Sequence, residues 1–112
     1  MGRKSILRKY CIFNAASLGA TLTSPITSIE YLDSPCIQLQ WTTADAVGTF
    51  SIEASIDCEV WTAIDGIAPV VNKANDHTLI NLPLLACPFI RLVYTRTEGT
   101  GTLTGYVSAK SL

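Results

Sequence analysis

The sequence predicts an all-β chain: a single antiparallel β-sandwich, or jelly-roll-like domain, with a short N-terminal arm. Three observations predict it. Apolar residues recur at every second position in several segments, the period of a strand with one face in a core and one in water. All five prolines, Pro25, Pro35, Pro69, Pro83 and Pro88, fall at the edges of those segments, where a missing N–H costs no ladder bond. The chain has thirteen threonines, and no run of ten or more positions places apolar residues at helical spacing.

The first clear element is Cys36-Ile37-Gln38-Leu39-Gln40-Trp41-Thr42, where Ile37, Leu39 and Trp41 alternate with Gln38, Gln40 and Thr42. In the next, Phe50, Ile52, Ala54 and Ile56 face one way and Ser51, Glu53, Ser55 and Asp57 the other. The region from Thr43 to Gly48 reads as a loop, so these two strands are expected to be an antiparallel pair. Further strands are expected over Ile26 to Leu32, Thr78 to Leu82, Phe89 to Thr97 and Gly101 to Lys110. The Phe89 strand carries Ile90, Leu92 and Tyr94 on one side and Phe89 and Val93 on the other, which marks it as central. Glu98-Gly99-Thr100-Gly101 supplies the residues of a hairpin turn, after which Leu103, Gly105, Val107 and Ala109 line an inner face. The expected core holds Leu39, Trp41, Phe50, Ile52, Leu92, Tyr94 and Val107.

With 112 residues the chain fits one domain, divided into an arm and lead-in over 1–22 and a sandwich over 23–112. Its 48% apolar and 15% charged residues, with a net charge of −1, are not the composition of a disordered tail. Arg3, Lys4, Arg8 and Lys9 supply four of the eight basic residues, which leaves residues 11–112 at −5. A short basic arm on an acidic body is a poor design for direct nucleic-acid binding, which spreads Lys and Arg over a folded face. The arm, Met1 to about Phe13, interleaves those charges with Ile6, Leu7, Tyr10, Ile12 and Phe13. It is therefore expected to be an interaction segment whose order depends on assembly. Asn14 interrupts the apolar stretch after the basic residues, so a signal peptide is not expected. No segment approaches the about 18 apolar residues of a membrane span, so no membrane partner is expected.

No constellation carries chemistry. Cys11, Cys36, Cys58 and Cys87 are spaced 25, 22 and 29 apart without a CxxC pair, so reduced thiols packed as small hydrophobes are expected over a metal centre. His77 is the single histidine and reads as a polar loop residue, and no Gly-x-Ser-x-Gly elbow accompanies it. Asp45, Asp57, Glu59 and Asp65 read as solvated turn residues. Trp41 lies on an inward register and Trp61 follows the Asp57-Cys58-Glu59 turn, leaving Trp61 as the aromatic able to stack on a sugar. Arg91 and Tyr106 fall on outward registers of strands taken to be neighbours, with Arg96 near a strand end, giving a cationic, aromatic-bearing face suited to protein contacts. No catalytic residue, metal or cofactor is expected. The expected partner-binding residues are Arg3, Lys4, Arg8, Lys9, Tyr10, Arg91, Arg96 and Tyr106.

Two segments carry a resemblance. Gly48-Thr49-Phe50-Ser51-Ile52-Glu53-Ala54-Ser55, leading through Asp57 to Trp61-Thr62, resembles the strand, turn and Trp-Thr of discoidin-like sandwiches. Together with Pro88-Phe89-Ile90-Arg91-Leu92-Val93-Tyr94-Thr95, Gly99-Thr100-Gly101-Thr102-Leu103 and the preceding Ile29 to Trp41 stretch, it resembles small virion-associated proteins of tailed bacteriophages over roughly residues 23–110. The resemblance implies a non-enzymatic structural protein of the particle, first a head decoration or cement protein and next a tail or fibre component. It implies major capsid or other virion proteins as partners, a homo-oligomer or many copies on a symmetric shell, and a virion location after synthesis in the host cytoplasm. A carbohydrate-binding module acting in host-surface attachment is the competing class, although the loops here are short and acidic or neutral where discoidin-like lectins carry aromatic and basic ones.

Overall fold

The computed structural model describes residues 6–29, 35–64, 66–67, 69–82 and 87–110, and every regular element among them is a strand. In chain order these are β1 (Ile6–Ser17), β2 (Leu22–Thr23), β3 (Thr27–Ser28), β4 (Cys36–Thr43), β5 (Val47–Ser55), β6 (Thr62–Ala63), β7 (Val70–Asn72), β8 (Asp76–Asn81), β9 (Phe89–Glu98) and β10 (Gly101–Lys110). They form two antiparallel sheets. One runs β1-β10-β4-β8, and the other runs β2-β9-β5-β6 with β3 also on β9 and β7 also on β5. The fold class is the expected one, an all-β sandwich.

Period two places the core correctly. Ile37, Leu39 and Trp41 of β4 are buried between exposed Gln38, Gln40 and Thr42, and Leu103, Gly105, Val107 and Ala109 of β10 are buried in alternation. Across the interior, Trp41 meets Phe50 at 5.3 Å between ring centroids, and Phe50 meets its ladder partner Tyr94 of the same sheet at 5.1 Å, both tilted. This aromatic chain joins the two sheets. β9 is central as expected, with Ile90, Leu92 and Tyr94 inward and Phe89, Arg91 and Val93 half-buried.

Sheet membership differs from the expectation at both short connections. β4 and β5 are not an antiparallel pair, because the chain changes sheets between Thr43 and Val47. Glu98-Gly99-Thr100-Gly101 is likewise a corner, not a hairpin turn, since β9 pairs with β5 while β10 pairs with β4. The two corners are bonded to each other. The Thr43 hydroxyl donates to the Thr100 carbonyl at 2.6 Å and accepts from the Ala46 N–H at 2.8 Å, while the Thr100 N–H donates to Asp45 Oδ1 at 3.0 Å. Gly99 turns here at φ +83°, and a Cβ on it would collide with the Asp45 carbonyl. Crossing sheets lets the apolar faces of β4 and β5 oppose each other, which buries Trp41 against Phe50 where a hairpin would set them side by side.

The N-terminal expectation is corrected more deeply. Residues 6–17 are not an arm: they form an edge strand of the first sheet, paired with β10 from Ile6↔Lys110 to Ser17↔Thr102. Ile12 and Phe13 join the core at 6% and 7% exposure. The boundary drawn at residue 22 therefore cuts through the sandwich. Three smaller corrections follow. Ile56, expected inward, is 77% exposed because the chain leaves β5 at Ser55. His77 lies on strand β8 and not in a loop. Of the strand expected over Ile26 to Leu32, Thr27 and Ser28 form β3, and residues 30–34 lie outside the described set.

Tyr94 is buried, and a Cβ at Gly48 would stand inside its ring, so the absence of a side chain at Gly48 makes the space it fills. Its hydroxyl has no hydrogen-bond partner among the described residues. Burial pushes the phenol above its ordinary pKa, against the opposing pull of the Arg96 charge. An unpaired buried hydroxyl costs about 1–3 kcal/mol, so Tyr94→Phe should leave stability unchanged or raise it by about 1 kcal/mol. A urea melt checks this, and a loss above about 1 kcal/mol would mean that the hydroxyl is satisfied in solution.

Candidate functional site

The residues expected to bind a partner fall in several places. Arg3 and Lys4 lie outside the described residues. Arg8 and Lys9 belong to β1, and a bulge with Lys9 at φ +40° separates Leu7↔Ala109 from Tyr10↔Val107. The Lys9 ammonium stands 5.1 Å from the Tyr106 ring centroid, a cation–π contact on the outer face of the first sheet. Tyr10 instead borders a recess of about 310 Å³ with Ile26, Thr27 and Ser28, between the edges of the two sheets.

Arg91 and Tyr106 do not share a face, which corrects the reading of them as neighbours: β9 lies in one sheet and β10 in the other. Arg91 is engaged within its own chain. Its Nε donates to Glu53 Oε1 at 2.7 Å, directly across the β5–β9 ladder, and its guanidinium lies 4.3 Å over the Trp61 ring. Arg96 Nε donates to the Gly99 carbonyl at 2.9 Å and so ties the corner. Both arginines thus make contacts within their own chain, Arg91 half-buried and Arg96 exposed.

The outer face of the first sheet carries a groove. Lys9, Cys36, Gln38, Leu79, Tyr106 and Ser108 line a shallow groove of about 380 Å³ across its outer face. Leu79 is 66% exposed there. Partial burial raises the Cys36 thiol above its ordinary pKa, which makes it a poorer nucleophile at neutral pH. All four cysteines are free thiols, Cys11 exposed and the others half-buried.

A second apolar recess, about 410 Å³, lies at the end of β5 between Ile56, Val60, Ile64 and Cys87. The turn beside it is built by short polar side chains. Ser55 Oγ accepts from the Asp57 and Cys58 N–H groups, and Asp57 Oδ1 accepts from Glu59 N–H at 2.9 Å and Val60 N–H at 3.1 Å. Those two N–H groups, then the Ser55 hydroxyl, hold the Asp57 carboxyl below its usual range. Asp57 is thus a turn former. Among the described residues no three of His, Cys, Asp and Glu gather as a metal-binding group. Asp76 Oδ1 accepts from the His77 backbone N–H at 2.8 Å.

Two features were not expected: the exposed Leu79 in the groove, and the pairing of Lys9 with Tyr106. The first signal was present in the alternation of His77, Leu79 and Asn81 with Thr78 and Ile80. The second depended on knowing that β1 flanks β10.

The fold and surface define a class: an antiparallel two-sheet sandwich that presents a shallow groove lined by one cation, Lys9, together with Tyr106 and Leu79. Neither a protein-family model nor a curated protein matches the sequence. Solved structures do match in fold. The chain is similar to the SPBc2 prophage-derived protein YomS, with a TM-score of 0.62 at 9% identity over 99% of this chain and 97% of that one. It is also similar to a chain in the structure of infectious bursal disease virus, Gx strain, with a TM-score of 0.53 at 14% identity over 98% of this chain and 32% of that one.

Proposed function

We propose that the protein is a non-enzymatic structural component of a phage particle, attached in many copies to the head as a decoration or cement protein. The observation that carries this reading is the chain-long likeness in fold to a prophage-derived protein, with a second likeness to a chain from a virus. The distribution of surface chemistry supports it. Arg91 and Trp61 on the second sheet are occupied by contacts within the chain. The first sheet offers Lys9, Tyr106 and Leu79 on one open face, a cation, an aromatic ring and an apolar side chain that together suit attachment to an acidic protein surface. The same contacts weigh against sugar stacking, since Trp41 is 4% exposed and Trp61 already has a guanidinium on its ring.

Quantitative mass spectrometry of gradient-purified particles from cells that make the protein tests the reading. A fixed copy ratio to the shell protein is expected, and added protein should saturate particles that lack it. Lys9→Glu should weaken that saturation binding about tenfold, because it sets like charge against an acidic partner. Absence from washed particles would overturn the proposal, and recovery with isolated tails alone would move the protein from head to tail.

A further inference from the structure

A two-sheet sandwich has four outer edges, each a row of backbone groups able to pair with another strand. Three are blunted here. β1 carries register shifts at Leu7/Tyr10, Cys11/Phe13 and Phe13/Ala16, with Lys9 and Ala15 at positive φ, so its edge is kinked. One edge of the second sheet is cut into β2 and β3, two residues each with Pro25 between them. The other is cut into β6 and β7, of two and three residues, with Pro69 between them.

β8 has none of these devices. It pairs without interruption with β4 from Cys36↔Asn81 to Trp41↔Asp76, contains no proline, lysine or arginine, and has no strand on its other side among the described residues. The direction of its backbone groups follows from two hydrogen bonds. Leu82 N–H donates to the Pro35 carbonyl at 2.9 Å, which extends the β4–β8 register by one pair. In an antiparallel ladder such bonded pairs alternate. Ile80, Thr78 and Asp76 therefore bond to β4, while His77, Leu79 and Asn81 turn their N–H and C=O outward. The His77 N–H agrees with this: it bonds to the Asp76 side chain and not to β4.

We propose that β8 is a homodimer edge, on which the β8 strand of a second copy adds in antiparallel fashion about a two-fold axis at Leu79. This register is self-complementary. Leu79 faces Leu79 of the second copy as a reciprocally bonded pair, His77 faces Asn81, and Thr78 faces Ile80. Inner residues stay opposite inner residues, and the core face continues from one copy to the next. Asp76 falls opposite Leu82, so no like charges meet across the seam. The two exposed Leu79 side chains cover each other at the margin of the groove they line, which leaves Lys9 and Tyr106 for the attachment proposed above. The pairing depends on this chain alone and stands whether or not the protein attaches to a particle.

Sedimentation equilibrium from about 1 μM to about 1 mM tests it on the full chain. A monomer–dimer equilibrium is expected. Leu79→Lys, at a largely exposed position, should keep the native circular dichroism spectrum and raise the dissociation constant at least about tenfold, because it places like charges directly opposite. Mixing the Leu79→Lys chain with a Leu79→Glu chain should restore a dimer, and the Leu79 and Asn81 amides should be protected from exchange in that mixture. A wild-type chain that stays monomeric throughout overturns the proposal. So does a dimer that tolerates Leu79→Lys, or a mixture of the two variants that fails to associate.

Discussion

Deleting residues 1–13 is expected to abolish folding. The deletion removes most of β1, so β10 loses its partner from Lys110 to Gly105 and becomes an edge. It also removes Ile12 and Phe13, each less than a tenth exposed and packed in the same core as Leu39, Leu103 and Val107. Truncating one large buried apolar side chain costs about 2–5 kcal/mol. Losing two, together with a ladder of backbone bonds, approaches the entire 5–15 kcal/mol by which a domain of this size is stable. The truncated chain should lose its strand signal in far-UV circular dichroism and show no cooperative melt. A freely attached arm would give the opposite result, a truncated chain that melts near the temperature of the full one.

The reason this strand was not legible in the sequence is physical. Alternation identifies a strand only where it is regular, and β1 is irregular. Ile12 and Phe13 are adjacent and both buried, which a uniform pleat forbids and the shift between Cys11 and Phe13 allows. With Lys9 and Ala15 also left-handed, the segment has no period of two to detect, and its Arg8-Lys9 pair, following Arg3 and Lys4 in the sequence, suggests a solvated tail. β4, β5, β9 and β10 are regular, and their inward residues were legible down to Trp41, Phe50 and Tyr94.

What alternation cannot carry is the partner of each strand. It says which side faces the core but not which sheet a strand joins, and a corner between sheets can be as short as a hairpin. That ambiguity explains three failures together: the pairing of β4 with β5, the turn at Gly99, and the shared face drawn from Arg91 and Tyr106. The candidate surface suffered most, because Lys9, Leu79 and Tyr106 converge only through the order β1-β10-β4-β8. The marks of a corner were present in Thr43, Asp45 and Gly99, but each of those residues is equally at home in a hairpin loop.

Trp41→Ala is expected to cost about 3–5 kcal/mol, the range for emptying a large aromatic site in a core that relaxes only in part. The position leaves little room for collapse. Trp41 is held from the second sheet by Phe50, which packs in turn on Tyr94, so the void would open at the junction of the sheets and loosen both ring contacts. The indole N–H also donates to the Ala74 carbonyl at 3.1 Å, which anchors the segment between β7 and β8. Trp41→Phe separates the two contributions: it keeps much of the apolar volume and removes the donor. It should cost about 1–2 kcal/mol, mostly at that anchor, so amide exchange should quicken first around residues 73–76. Urea melts of the two variants check the order. If Trp41→Phe proved as costly as Trp41→Ala, the hydrogen bond to Ala74 would be the dominant contribution. If both stayed within about 1 kcal/mol of wild type, the aromatic chain would not be what joins the sheets.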